Sequence, residues 1–320
     1  MIGLDFEKPI IELEKKINEL RKFTSEKSID LSGEVKKLEE KLGQLRKDIY
    51  GKLSSWQRVQ ISRHPHRPYT LDYINLILKD FMELHGDRAF RDDKAIIAGL
   101  AKLDGQKLLV IGQQKGRDTK ENLMRTFGCA HPEGYRKAMR VMELAQKFEV
   151  PILVFIDTPG AYPGIGAEER GQAQAIALNL KMMSGIRVPI VAVVIGEGGS
   201  GGALGIGIAD RVCVLENAYY SVISPEGCAA ILWKSSSKAP EAAEALKLTA
   251  ADLLKFGVID EVIKEPLGGA HVNPEEAAKN IKSSVKKYFI ELLKMPGDQI
   301  VEQRYKKFRN MGRFDEERSA

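Results

Sequence analysis

Gly196, Glu197, Gly198, Gly199, Ser200, Gly201 and Gly202 form the run whose residue types and spacing hold the most chemistry. Only Glu197 and Ser200 bring side chains capable of acid, base or nucleophile work. The run otherwise offers backbone N–H groups, brought close to a ligand because glycine has no Cβ. It follows an apolar VAVVI and opens a small-residue helix. The first amides of a helix lack intrahelical acceptors and lie at the positive end of its dipole, so they bind anions. The anion is either a phosphate or an oxyanion that develops during a reaction. A second run of the same construction, DTPGAYPGIG at 157–166, follows an apolar ILVFI and also leads into a helix. Glycine-rich loops at the carboxyl ends of two neighbouring parallel strands can present donors to one oxygen from two directions, as an oxyanion hole does. Either loop alone is equally explained by tight turns and close helix–sheet packing.

Three familiar signatures fall on the same residues. GEGGSG at 196–201 satisfies GxGxxG after a strand, and Glu216 ends the next strand at the spacing of a ribose-binding acid. Against a dinucleotide site, Gly205 and Gly207 interrupt an already short crossover, and the strand comes late in the chain. GGSGG at 198–202 satisfies GxSxG, which would make Ser200 a nucleophile. A hydrolase needs a later histidine, and only His271 follows. The strand is also expected to end near Ile195, too early for a sharp elbow at Ser200. A phosphate-binding GxxxxGK[ST] does not occur. Asp157 and Glu197 read as braces for the loops, and Glu226 is the other carboxylate in reach. Lys115 and Arg117 read as surface or intersubunit pairs, with a ligand phosphate or a partner protein as the alternative. His64 and His66 have no acidic or cysteine partner nearby, which argues against a metal.

The elements that must position these loops follow from periodicity. Short apolar strands are expected at 95–103, 107–113, 152–156, 189–195, 211–215 and 219–224, with helices at 71–84, 132–148, 168–184 and 201–209. Their alternation implies an α/β architecture. Before it, Ile10, Leu13, Ile17 and Leu20, then Val35, Leu38, Leu42, Leu45 and Ile49, mark two helices of an antiparallel hairpin, with Asp30 and Ser32 as N-cap candidates. RHPHRP at 63–68 reads as the hinge into the main domain. From Pro274 the chain is helical and amphipathic, with a frayed polar end. The boundaries are 1–62 for the hairpin, 63–270 for the main domain and 271–320 for the extension.

The 320 residues suffice for one large core, and 43% hydrophobic with 29% charged residues is ordinary for a globular protein. A net charge of +5 without a basic block does not indicate nucleic acid. Cys129, Cys213 and Cys228 are far apart and odd in number, which argues against a disulfide framework and a cysteine zinc site. The first residues lack a signal-peptide core, and no transmembrane run occurs, so a cytoplasmic location is expected.

The ordered set QQKGR (113–117), PEGYRKA (132–138), FIDTPGAYPG (155–164), AEERG (167–171), IGEGGSGGA (195–203) and SVISPEGC (221–228) resembles the α subunits of bacterial acetyl-coenzyme A carboxylase carboxyltransferases. LDFEKPI, RHPHRPYTLDYI and EPLGGAHVNPE agree as well, so the resemblance covers nearly the whole chain. It implies a crotonase-like spiral of repeated ββα units flanked by the hairpin and the C-terminal helices. The activity it implies is transfer of a carboxyl group from carboxybiotin, on a biotin carboxyl carrier protein, to acetyl-CoA, giving malonyl-CoA for fatty-acid synthesis. It implies no cofactor or metal bound by this chain, and an α2β2 assembly whose β subunit carries a zinc ribbon. Biotin carboxylase completes the set of partners, and neither membrane nor nucleic acid is among them. On this resemblance the amides of Gly201 and Gly202 form the oxyanion hole on the biotin side, and Gly160, Ala161, Tyr162, Gly198 and Gly199 line the substrate cavity. The biotin enolate itself can take the methyl proton of acetyl-CoA, so no side-chain base is required. Two other readings remain open. A stand-alone crotonase-type hydratase, isomerase or thioesterase would need an acid/base pair near the loops. An interaction scaffold would use the hairpin and the charged tail.

Overall fold

A computed structural model describes residues 3–27 and 31–312. Its centre is a mixed eight-stranded sheet in the order β1-β2-β3-β4-β5-β6-β8, with β7 paired to β5. Strands β2 (Ile96–Leu103) and β3 (Gln106–Gln113) form a hairpin closed by Asp104 and Gly105, both at positive φ, as a two-residue turn between twisted strands requires. Strands β4 (Ile152–Thr158), β5 (Ile190–Gly199), β6 (Arg211–Leu215) and β8 (Glu261–Ile263) then add in parallel. β4 and β5 are buried along their whole length, so they read as continuous apolar runs rather than alternating ones.

The sequence anticipates most of these strands, but some helices are shorter than their patterns. Where the spacing predicts a helix at 71–84, α4 (Thr70–Ile77) stops and Leu78 turns extended. The chain continues as β1 (Lys79–Glu83), antiparallel to β2. Gly99 admits that edge strand: a Cβ there would lie 2.3 Å from the Met82 carbonyl oxygen.

Helices cover the sheet. α5 (Thr119–Met124) is capped by the Asp118 carboxylate, and α6 (Pro132–Lys147) begins with proline and buries Tyr135, Ala138, Val141, Met142 and Ala145. α7 (Ile165–Glu169) and α8 (Gln172–Gly185) follow β4, and α9 (Ser200–Leu204) follows β5. The predicted helix at 201–209 is thus one turn only, because the chain turns away after Leu204 through Gly205 and Gly207. Between β7 (Tyr219–Ser221) and β8 lie α10 (Pro225–Trp233), α11 (Ala239–Leu246) and α12 (Ala250–Lys255), which the periodicity did not indicate. Ser224 and Thr249 nevertheless cap α10 and α12 with their hydroxyls.

At the N-terminus, α1 (Lys8–Lys27) and α2 (Ser32–Tyr50) form the expected hairpin. Ile10 and Ile17 of its stripe are buried, whereas α2 buries no residue fully. Ser32 is the first residue of α2 and Leu31 its N-cap, so Ser32 does not cap; Asp30 lies outside the described residues. α3 (Ser55–Ser62) starts at a capping box of Ser54 and Gln57. The 63–68 segment, where the chain enters the main domain, is held by a buried staple. Arg67 is fully buried, forks onto Glu265 at 2.6 and 2.9 Å, and donates to the Ile195 carbonyl at 2.7 Å. At the other end, α13 (Pro274–Leu292) adds Ile281, Val285 and Phe289 to the main core, and α14 (Gly297–Arg309) closes the described chain. The tail at 313–320, expected to fray, lies outside the described residues.

Candidate active site

The apolar run of β5 does not end at Ile195. It continues as strand through Gly199, so 196–199 is the buried upper half of β5 and not a loop. That half pairs with β7, Glu197 facing Tyr219 and Gly199 facing Ser221. Between Ile156↔Val194 and Thr158↔Gly198 the β4–β5 register slips, leaving extra β5 residues opposite Asp157. Such a bulge bends its strand and re-aims the residues beyond it. Its polar groups are taken up by side chains: Glu197 N–H donates to Asp157 Oδ1 at 2.9 Å, and Asp157 N–H donates to Gln113 Oε1 at 3.0 Å.

The bent strand delivers α9 against the 157–166 loop. A Cβ on Gly202 would sit 2.3 Å from the carbonyl carbon of Gly160 and 2.5 Å from Ala161 N, and one on Gly199 only 2.2 Å from the Pro159 oxygen. No side chain fits at either position. Gly160 and Gly201 differ, because a Cβ on Gly160 meets nothing within 4 Å and one on Gly201 meets only Ile176 Cδ1 at 3.8 Å. The two glycine runs therefore meet backbone to backbone, with Gly160 and Gly201 open on one side. Gly201 also lines a cavity of about 520 Å³ with Ser200, Leu204, Tyr220 and Phe308.

The amides at this meeting point are unequal. The N–H groups of Ser200, Gly201 and Gly202 precede the first intrahelical bond of α9, which Ala203 makes to the N-cap Gly199, so they have no acceptor within the helix. The Gly160 N–H is engaged by Thr158 Oγ1 at 3.1 Å, and that hydroxyl donates back to the Gly160 carbonyl at 2.7 Å. Tyr162 stacks on His131 with ring centroids 4.1 Å apart, and its N–H donates to the Ala130 carbonyl. Gly198 and Gly199 are buried in the ladder, facing Tyr220 and Ser221 of β7.

The carboxylates are braces, as their place in sequence suggests. Lys115 Nζ lies 2.7 Å from Asp157 Oδ1 and 2.8 Å from Glu197 Oε2. Arg63 Nε adds 2.7 Å to Glu197 Oε1, which also accepts from the Tyr219 hydroxyl at 2.8 Å, and Arg63 continues to Glu226. Burial alone would raise the Glu197 pKa, but Lys115 and Arg63 outweigh it and hold it at about 2. Burial raises Asp157 despite the pull of Lys115. Lys115 is thus buried among carboxylates and is not presented to a phosphate. Arg117 pairs with Asp72 and lies 4.1 Å over the Tyr69 ring.

Ser200 follows β5 directly and has φ +50, so the strand ends beside it and not several residues earlier. The elbow geometry that spacing argued against is present, but the base is not. His271 stacks on His64 at 3.8 Å beneath the N-terminal hairpin, and no hydrogen bond joins Ser200 to a histidine among the described residues. Among the same residues no cluster of His, Cys, Asp and Glu is arranged to hold a metal, and no helix is long and apolar enough to cross a membrane. Gln113, Arg63 and Tyr219 are the site supports that spacing alone did not single out. QQKGR lay in the ordered motif set, but nothing in it distinguishes Gln113 from Gln114.

A family model described as acetyl co-enzyme A carboxylase carboxyltransferase-like matches residues 3–312. The chain belongs to this family. Among carboxyltransferase-like relatives, the acetyl-coenzyme A carboxylase carboxyl transferase subunit alpha of Thermus thermophilus is 57% identical over 313 residues, 98% of this chain and 99% of that one. The protein of the same name from Fusobacterium nucleatum is 59% identical over 312 residues, 98% of this chain and 100% of that one. The fold is shared with solved structures of low sequence identity. A transcarboxylase 12S core with methylmalonyl-coenzyme A bound superposes with a TM-score of 0.55 at 22% identity, over 68% of this chain and 41% of that one. A Pseudomonas malonate decarboxylase hetero-tetramer in complex with coenzyme A gives 0.56 at 17% identity, over 67% and 85%.

Proposed function

We propose that this chain is the α subunit of an acetyl-CoA carboxylase carboxyltransferase, which moves a carboxyl group from carboxybiotin to acetyl-CoA to make malonyl-CoA. Full-length identity of 57–59% to proteins of that name supports the activity. The observation that carries the mechanism is the Gly202 backbone lying against Gly160 and Ala161, at the first turn of α9, whose leading amides have no intrahelical acceptor. We assign the Gly201 and Gly202 amides to the ureido oxygen of the biotin group, the Ala161 N–H being the donor nearest them on the facing loop. Gly160, with its own N–H taken by Thr158, contributes an open wall together with Tyr162. Gly198 and Gly199 contribute the floor. The carboxybiotin supplies the activated carboxyl group. This chain's residues supply donors for negative charge on the ureido oxygen, and the Lys115–Asp157–Glu197 brace keeps the end of β5 in register with the 157–166 loop. On this reading the biotin enolate itself takes the methyl proton, and this chain need supply no side-chain base.

The same reading assigns the ββα spiral of the crotonase-like fold, supported by the β2–β3–α6 unit and the strand–helix units after it. It also assigns the 1–62, 63–270 and 271–320 divisions and a cytoplasmic location. Its partners are a zinc-ribbon β subunit in an α2β2 assembly, the biotin carboxyl carrier protein and biotin carboxylase.

Co-purification with the β subunit, followed by decarboxylation of malonyl-CoA with free biotin as acceptor, tests the assignment. Activity is expected only in the complex, and substantial turnover by this chain alone overturns the two-subunit reading. Gly201→Val, which has room for its Cβ, is expected to lower kcat by about 100-fold by obstructing the donors. A near wild-type rate with assembly intact overturns the oxyanion assignment.

A further inference from the structure

Gln113, the last residue of β3, is wholly buried. Its backbone is fixed by the β2 ladder and by Thr70 Oγ1, which donates to its carbonyl. Both ends of its side-chain amide are in use. Oε1 accepts the Asp157 N–H at 3.0 Å, and Nε2 donates to the Gly202 carbonyl at 2.7 Å. Each partner needs it. Asp157 sits at the register slip between β4 and β5. The Gly202 carbonyl would bond the amide of Ile206 in a longer helix, but that amide turns to Ala203 instead. One side chain therefore satisfies an orphan group from each of the two glycine runs.

We propose that Gln113 is a positioning residue that sets the direction of the Gly201 and Gly202 amides against the 157–166 loop. The inference rests on reading those amides as the oxyanion donors. In a helical turn the carbonyls point one way along the axis and the N–H groups the other, so holding the Gly202 carbonyl toward β3 fixes where the first amides point. Glycines have no side chains of their own to anchor them, and donors stabilise developing charge only when they are preorganised. Tyr135 Oη also approaches the Gly202 carbonyl, at a longer 3.4 Å. Glutamine suits the post because its planar, neutral group offers one acceptor and one donor side by side, whereas an ionised glutamate offers acceptors only.

The test uses the complex with the β subunit and compares Gln113→Met, Gln113→Glu and Gly201→Val. Assembly is followed by size and thermal melting, and kcat and KM by biotin-dependent malonyl-CoA decarboxylation from mildly acid to mildly alkaline pH. Gln113→Met is expected to assemble and to lose about 10- to 100-fold in kcat with KM for malonyl-CoA nearly unchanged. Gln113→Glu is expected to gain a pH limb that the wild type lacks. When protonated, its O–H donates to Gly202 and its other oxygen accepts from Asp157; activity falls as the carboxylate forms with rising pH. A side chain that only filled volume would not create that limb. Wild-type kcat in Gln113→Met beside an impaired Gly201→Val overturns the role of Gln113 alone. Wild-type kcat in both overturns the oxyanion reading with it. If Gln113→Met does not assemble, a Gln113→Glu profile parallel to that of the wild type overturns the proposal.

Discussion

Lys115 lies between Asp157 and Glu197, residues near the carboxyl ends of β4 and β5, and its side chain is only 12% exposed. Burial works against its charge, but the two carboxylates more than restore it and raise its pKa. Lys115→Met would leave those carboxylates facing each other without the cation. Removing one partner of a buried ionic group costs about 3–5 kcal/mol, and that loss is the expected result in urea denaturation. A change within about 0.5 kcal/mol, as at an ordinary surface site, would show that the brace carries no stability. The sequence marked Asp157 and Glu197 as loop braces, but it set Lys115 among surface or intersubunit pairs. Their identities were legible, and their partnership was not, because residues 115, 157 and 197 come together only when β3, β4 and β5 lie side by side.

Elements show the same division between local pattern and tertiary placement. The hairpin of α1 and α2 was plain from its apolar stripes, yet what it covers was not. Beneath it is a cavity of about 280 Å³ where His64, His66 and His271 gather with Glu7, Glu14, Arg46 and Tyr50. Burial first, then the neighbouring His64 and Arg67, lowers the His271 pKa from 6.5 to about 4. The unfolded chain therefore binds a proton that the folded chain refuses between those values, and stability rises with pH there. The contribution is complete above pH 6.5 and is lost as the pH falls toward 4. Urea midpoints of the wild type should fall across this window, and those of His271→Gln should fall less. Equal falls in the two would remove His271 as the cause. Element length was the other place where pattern misled. The glycine run reads as a loop because glycine is poor in strands, but at Gly199 a neighbouring backbone fills the space where a side chain would stand. β1 was hidden for the opposite reason: its residues continue an apolar spacing that suits a helix until β2 offers a pairing edge.

The whole molecule is tied together by its far end. Arg304 of α14 is 1% exposed and makes five hydrogen bonds, to both oxygens of Asp210 and to the carbonyls of Met183, Ile186 and Val188. Asp210 in turn accepts the Ile190 N–H at 2.7 Å at the start of β5. The C-terminal helix is thus built into the strand that carries the glycine run. Arg304→Met strands the Asp210 charge and three carbonyls, so a loss of about 3–5 kcal/mol is expected in urea denaturation. An unchanged midpoint would make α14 a dispensable appendage. Arg67 and Glu265 form a second buried tie, joining the 63–68 segment to the loop before α13.

The sequence by itself determined the α/β class, most strands, the two glycine runs and, through its ordered motifs, the family. These are local matters: apolar period, turn residues and short strings are written in consecutive positions. Tertiary structure decided which glycines touch backbone and which stay open, which amides are already engaged, and which distant side chains hold them. A bulge between β4 and β5 turns the Gly196–Gly202 run from a loop into a strand that ends in a single helical turn. That outcome depends on Gln113, Asp157 and Arg67 satisfying groups far away in the chain, and no reading of neighbours along the sequence contains it.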